Sequence, residues 1–267
     1  MLRTTFHDPL ALTLAQAALA AAAAAIVALL ARRRRVRVGK DLAVALARGL
    51  AQISAVGSVL LLMLRGPGVL AIAALAAMAV AAAATSSRRA SRVPGAFRVS
   101  LQAISAGAGS VIALMALAGV VETTVTVIVP VGSMLVANAM NANTLALERF
   151  RAEVVSHARH VEAALALGAG ADVAVAPYLE SSFGASLTPA IDNLRSLGIV
   201  WIPGLMTGMV LSGTPPLRAA IYQFVVLAMI FASSGLTCLV GTALARARAF
   251  SGADQLLLRE GAPARGR

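Results

Sequence analysis

The chain has 267 residues, of which 59% are hydrophobic and 13% charged, with a mean hydropathy of +0.85. A water-soluble domain carries about a quarter charged residues, so this composition leaves too little polar surface to cover a soluble globule. The net charge of +12 does not point to nucleic acid, because aromatics make up 4% and the arginines stand between apolar blocks, as topogenic charge does.

The apolar residues come in blocks of about 20, the length that crosses a hydrocarbon core roughly 30 Å thick at 1.5 Å per residue. Seven such blocks are predicted, at about 10–31, 42–64, 68–85, 99–121, 124–147, 197–213 and 217–245. The first ends at Arg32-Arg33-Arg34-Arg35. A secretory signal has its positive charge before the apolar region, so the reversed order reads as a retained helix. Arg3, Arg65 and Arg218 fall on one side of the alternating crossings and Arg48 within a span, while all other Lys and Arg residues fall on the other side. By the positive-inside rule this predicts N-out and C-in. A rival topology, with 197–213 re-entrant, puts the last five arginines outside and is rejected on that ground.

The second block carries Arg48 and, one turn on, Gln52. An ionisable group within a span is a functional candidate, although Arg48 can also snorkel to the interface. Ala45, Gly49, Ile53 and Gly57 give this helix a face of mostly small residues, which permits close packing. Glu122 stands at the outer boundary. The fifth block contains Pro130 and Gly132, then Met134, Asn138, Asn141 and Asn143.

The segment 148–196 is the longest hydrophilic stretch and is expected to be a cytosolic helical coupling region. Phe150, Val154, Val161 and Leu165 form one helical stripe in it. His157 and His160, three apart, have no carboxylate–histidine constellation around them and read as a solvated face. Residues 251–267 are expected to form a disordered, basic cytosolic tail, leaving 1–250 as a single permease domain.

The sixth block, WIPGLMTGMVLSG, is short and interrupted at Pro203-Gly204. Proline removes a backbone donor, and short Pro/Gly-interrupted spans are the best sequence pointer to a transport path. Pro130, Pro203, Gly204 and Gly208 are therefore the candidate helix-break positions, with kinked packing as the plain alternative. Gly204-x3-Gly208 is also a small-xxx-small pattern. Met134, Met140, Met206 and Met209 offer thioethers to a soft metal ion, or simply fill gaps. The seventh block holds Gln223 and the single cysteine, Cys238. HExxH, GxSxG and GxxxxGK[ST] are all absent, so this chain has no P-loop of its own for ATP.

Three stretches together resemble the FetB-type family of ABC permease subunits, bacterial proteins associated with iron export that have a plant branch associated with aluminium tolerance. They are Arg48-x3-Gln52 with Gly57; PVGSMLVANAM, with Pro130, Met134, Asn138 and Met140 on the pattern; and TPAIDNLRSLGIVWIPGLMTGMVLSG followed by IYQF, with Asp192, Pro203, Gly204, Met206, Gly208 and Gln223 on it. Ser133 and Ala137 depart from it, standing in place of glycines.

The resemblance implies an all-α polytopic membrane subunit of the bacterial inner membrane, not an enzyme. It would form a homodimer and pair with a separate ATP-binding subunit, which holds the ATP and magnesium, while this chain binds no cofactor. Glu162-Ala163-Ala164-x3-Gly168 matches the EAA-x3-G start of the coupling loop in many ABC permeases. Glu162, Ala163, Ala164, Gly168 and Asp192 are therefore the expected coupling residues, and Arg48, Gln52, Met134, Asn138, Met206 and Gln223 the expected transport path. No metal ligand set is assigned. The competing readings are an ATP-independent secondary carrier, an ABC exporter of a non-metal solute such as a sugar nucleotide or lipid-like conjugate, and a non-transporting membrane scaffold.

Overall fold

The computed structural model describes residues 9–33, 39–63, 68–251 and 255–258. The chain forms two compact units, Met1–Gly66 and Pro67–Arg267. In the first, α1 (Pro9–Arg33) and α2 (Gly39–Met63) pack against each other. The second holds α3 (Val69–Arg89), α4 (Ala96–Leu117), α5 (Val125–Ser156), α6 (Ala158–Ala166), α7 (Ala171–Ser196), α8 (Gly204–Leu211) and α9 (Pro216–Ala249). No strand forms among the described residues. Five helices, α1, α3, α4, α5 and α9, are long and apolar enough to cross a membrane. The protein is a polytopic all-α membrane protein.

The long rods α5 and α9 organise the second unit. With 32 and 34 residues they are each about 50 Å long, well beyond a hydrocarbon core of about 30 Å. Their excess length lies at one end, where Arg88, Arg89, Arg98, Arg149, Arg246 and Arg248 are also found. At this basic end an apolar cluster built on Leu147, Phe150, Val154, Val161, Val175 and Ala245 buries the stripe predicted from the sequence. Asp172 at the start of α7 pairs with Arg246 at 3.2 Å, and Arg248 Nη1 donates to the Gly95 carbonyl at 2.9 Å.

Further along, the contacts between helices are close and polar. Asn143 Nδ2 donates to Ser86 Oγ and Ser100 Oγ, both at 3.0 Å, and the Thr144 and Ser86 hydroxyls pair at 2.9 Å. All four side chains are buried, so this network joins α3, α4 and α5 where no water competes. A Cβ on Gly241 of α9 would strike Asn143 Oδ1. α4 contains a π-helical turn at Ser105–Gly109. There a Cβ on Gly107 would strike Thr237 Oγ1 and lie 2.8 Å from the Ser233 carbonyl of α9. The small residues of SAGAG thus bring two helix backbones together, as small residues do in membrane helix pairs.

One expectation is corrected. The block 197–213 is not a continuous helix: only Gly204–Leu211 is helical, eight residues, or about 12 Å at 1.5 Å per residue. It is preceded by α7, which lies in the segment expected to be a coupling region but packs lengthwise and antiparallel on α5 and α9. Val175 meets the Phe150 cluster, Leu187 meets Ala142, Ala146 and Cys238, and Leu194 meets the cluster around Leu135 and Leu227. Asp192, Asn193 and Arg195 dilute its apolar face, so its hydropathy does not mark it as a span. Of the segment 251–267, only Ser251 and 255–258 are described; there Leu256 and Leu258 are buried in the basic-end cluster and Leu257 N donates to the Ala249 carbonyl at 2.7 Å.

The packing sets an order of severity. Asn143→Ala removes two hydrogen bonds and leaves a void, and should cost about 1–3 kcal/mol, lowering the melting point without loss of fold. Gly107→Leu, which drives a side chain into the α9 backbone, should prevent assembly. Both outcomes are read by heating the detergent-solubilised protein with a thiol-reactive dye, because Cys238, the one cysteine, is buried until the bundle opens.

Candidate functional site: a broken helix at mid-depth

The chain between α7 and α8 is an ordered break. Gly198 takes φ +74°, in the left-handed region that glycine enters without steric cost, and ends α7. Its N–H donates to the Trp201 carbonyl at 3.1 Å, while Ile199 and Val200 N–H both donate to the Ser196 carbonyl. Trp201 Nε1 donates to Ser196 Oγ at 3.1 Å, and Ser196 Oγ donates to the Asp192 carbonyl at 2.7 Å. Pro203 then caps α8 in an extended conformation (φ −65°, ψ 145°), the geometry proline prefers just ahead of a helix.

This break closes a cavity of about 140 Å³ lined by Met134, Asn138, Asn193, Trp201, Gly204 and Gln223, with Leu227 and Ile230 behind them. Gln223 is 1% exposed, and neither its Nε2 nor its Oε1 has a hydrogen-bond partner. Asn138 Nδ2 is committed to the Met134 carbonyl at 2.8 Å, which leaves its Oδ1 as the free end. Along α5, Met134–Asn138 stand about 14 Å from Val125 and about 15 Å from Glu148, so the cavity lies near the middle of the helix's apolar length. The chemistry on offer is uncharged amide and thioether. Among the described residues no group of three or more His, Cys, Asp or Glu is placed to hold a metal ion.

A larger chamber of about 750 Å³ opens beyond it, toward the end opposite the basic-end cluster. Thr126, Pro130, Glu122, Arg218 and Tyr222 line it, and Leu205 borders both spaces. Pro130 does not break α5, which is continuous through it; Ser133 Oγ donates to the Pro130 carbonyl at 2.7 Å. Gly208 does not interrupt α8, and no atom lies within 4 Å of a Cβ added at Gly204 or Gly208. Of the four break positions, only Pro203 and Gly204 sit where the helix actually stops.

The structure therefore unites Met134, Asn138 and Gln223 of the expected path with Pro203 and Gly204. Met206 is half-buried on α8 but does not line the cavity. Arg48 and Gln52 are exposed on α2, in the first unit. Glu162 and Ala163 are exposed on α6, Ala164 packs on the Phe150 cluster, and Gly168, at φ +88°, turns the chain just after an almost fully exposed Leu167. Asp192 is not with them. It lies 20 residues along α7 from Asp172, about 30 Å, beside the break and 3.9 Å from Arg195. Asn193 and Trp201 are site residues that sequence reasoning missed. The signal available was a lone tryptophan two residues before the Pro-Gly break.

Comparison with known proteins matches residues 14–250 to a family described as "Uncharacterised protein family (UPF0014)". The chain is 32% identical to "UPF0014 membrane protein STAR2" of Oryza sativa subsp. japonica over 84% of this chain and 79% of that protein. It is 26% identical to "Probable iron export permease protein FetB" of Escherichia coli (strain K12) over 92% and 96%. It is 29% identical to "Protein ALUMINUM SENSITIVE 3" of Arabidopsis thaliana over 81% and 80%. No solved structure matches. With nearly its whole length on the family pattern and an all-α polytopic fold, the chain belongs to the UPF0014 membrane protein family.

Proposed function

We propose that this chain is the membrane-spanning permease subunit of an ATP-driven ABC exporter in a bacterial inner membrane, working as two permease chains with two separate ATP-binding subunits. The observation that carries the reading is the α7–α8 break. A helix interrupted at mid-depth beside an amide-lined cavity, with a wider chamber beyond, is how transporters seat a solute inside the bilayer. In this reading the basic end faces the cytoplasm, α7 and α8 together make one broken crossing, and solute leaves past Leu205 into the Glu122–Arg218 chamber. Export of an iron species is supported by the name of the Escherichia coli relative.

The turn after α6 is the proposed coupling surface. Glu162, Leu167 and Gly168 are exposed at the basic end, and Val161 anchors the same helix among Phe150, Val154 and Val175. A push on this turn acts on the basic ends of α5 and α7. A second copy is supported by α7 itself, because Thr188, Asp192, Asn193 and Arg195 are exposed in the single chain at a depth where lipid cannot solvate them. Ile199, Val200 and Ile202 extend that face.

Three outcomes follow. Co-expressed with the ATP-binding subunit of its own operon, the chain should co-purify with it and raise ATP turnover, whereas Glu162→Arg, at an exposed position of α6, should reduce that stimulation with an unchanged Cys238 melting profile. A chain that neither co-purifies nor alters ATP turnover overturns the coupling claim. A cysteine placed at Glu162 should be labelled from the cytoplasmic side only; labelling from outside reverses the topology. Asn193→Cys should give a disulfide-linked dimer in oxidised membranes, and a persistent monomer removes the second copy from the path.

A further inference from the structure

Three unpaired features meet at the break between α7 and α8. The first is the start of α8. Its Thr207 N–H is the first to find a helical acceptor, the Pro203 carbonyl at 3.1 Å, so the N–H groups of Gly204, Leu205 and Met206 precede the hydrogen-bonded run. The second is Gln223, whose buried amide has no partner at either end and which lines the same cavity as Gly204. The third is the free Oδ1 of Asn138. Leaving a buried amide unsatisfied is unfavourable, and a cavity that keeps both ends of one unpaired is shaped for something that pairs with them.

The character of that occupant follows from the donors and acceptors present. A helix N-terminus carries roughly half a positive charge and, with its free N–H groups, attracts anionic oxygen; the Gln223 Nε2 adds a side-chain donor. The carbonyl oxygens of Gln223 and Asn138 are acceptors and need a hydroxyl or N–H opposite. No carboxylate lines the cavity. The nearest in sequence, Asp192, is held at 3.9 Å from Arg195. A divalent cation leaving water would lose its hydration shell and gain no negative ligand to replace it. At about 140 Å³ the space fits one compact polar group rather than a whole large solute.

We propose that the α7–α8 break is a binding site for the hydroxycarboxylate group of a small organic acid, carried free or as the chelator around a metal ion, and that a bare divalent cation is not its ligand. The carboxylate accepts from the α8 N-terminal N–H groups and Gln223 Nε2, and the adjacent hydroxyl donates to Gln223 Oε1 or Asn138 Oδ1. The site's use in export rests on the permease reading above, but its chemistry rests on the cavity alone.

Trp201 is the chain's single tryptophan and lines the cavity, so its fluorescence reports occupancy in the purified full chain. Citrate, gallium(III)–citrate and zinc(II) are titrated separately. A saturable change with either citrate form supports the site, and the form that responds identifies free acid or chelate. Zinc alone should produce no saturable change. Gln223→Leu, which removes the paired donor and acceptor, and Asn193→Asp, which adds negative charge at an exposed lining position, should each weaken citrate binding at least about tenfold, with the Cys238 melting profile unchanged. The proposal is overturned by a flat response to both citrate forms, by citrate binding indifferent to both variants, or by zinc binding that Asn193→Asp strengthens. Because the titration needs no ATP-binding subunit, its failure in a chain that still stimulates ATP turnover strikes the site alone. Citrate binding in a chain that ignores the ATP-binding subunit strikes the exporter reading alone.

Discussion

Within a hydrocarbon layer no water is available to satisfy a backbone N–H or carbonyl, so a chain that stops being helical there must supply every partner itself. In the proposed permease that constraint falls on the segment from Ser196 to Gly204. The Ser196 carbonyl takes two N–H groups, its hydroxyl links the Asp192 carbonyl to the Trp201 indole, and Gly198 adopts a backbone conformation that other residues rarely enter. So much local satisfaction leaves only a few groups open, chiefly at the start of α8 and on Gln223. The break is therefore stable as a structure and unsatisfied at one chosen place.

Holding such a break requires a rigid surround, and the second unit provides it by close approach rather than by bulk. Gly107 and Gly241 let α4, α5 and α9 come within reach of each other's backbone and polar atoms, and the Ser86–Ser100–Asn143–Thr144 network locks α3, α4 and α5 at one level. Lipid tails are as apolar as leucine, so burial of leucine does little to hold membrane helices together; packing of small residues and interhelical hydrogen bonds do more. The alanine-rich composition is the material this kind of packing needs.

Much of the fold was legible. Blocks of about 20 apolar residues marked α1, α3, α4, α5 and α9, because crossing length is set by the bilayer and leaves a direct trace in sequence. The long helix α7 was not legible as one element, for a physical reason. A helix that lines a cavity keeps polar residues, so the hydropathy of α7 falls beside the break; Asp192, Asn193 and Arg195 are the residues that lower it. Pro203-Gly204 announced the break, and Met134, Asn138 and Gln223, expected together on a path, do line one cavity beside it. Asn193 was hidden because it falls in the hydrophilic stretch 148–196, and Trp201 because a lone aromatic at the edge of an apolar block carries no pattern of its own. The π-turn at Ser105–Gly109 had only a run of small residues as its signal, which says that helices can approach there and not how the backbone will wind.

The geometry also bears on how work applied at the basic end can reach a cavity at mid-depth. α5 and α9 run unbroken from the basic-end cluster past the cavity, so neither can change length, and Pro130 leaves α5 whole. α7 is different. It is tied at its start by Asp172 to Arg246, grips the two rods along its length, and ends at a hinge whose far side is an eight-residue helix with open space around Gly204 and Gly208. A displacement delivered near Gly168 would therefore travel along α7, which is continuous through Pro177 and Pro189, and reach the break at Leu197–Pro203. In the proposed cycle that movement would shift Gly204 against Gln223 and so alter the one set of groups still seeking partners. A short α8 suits this role, since a helix of about 12 Å can tilt without disturbing the long rods beside it.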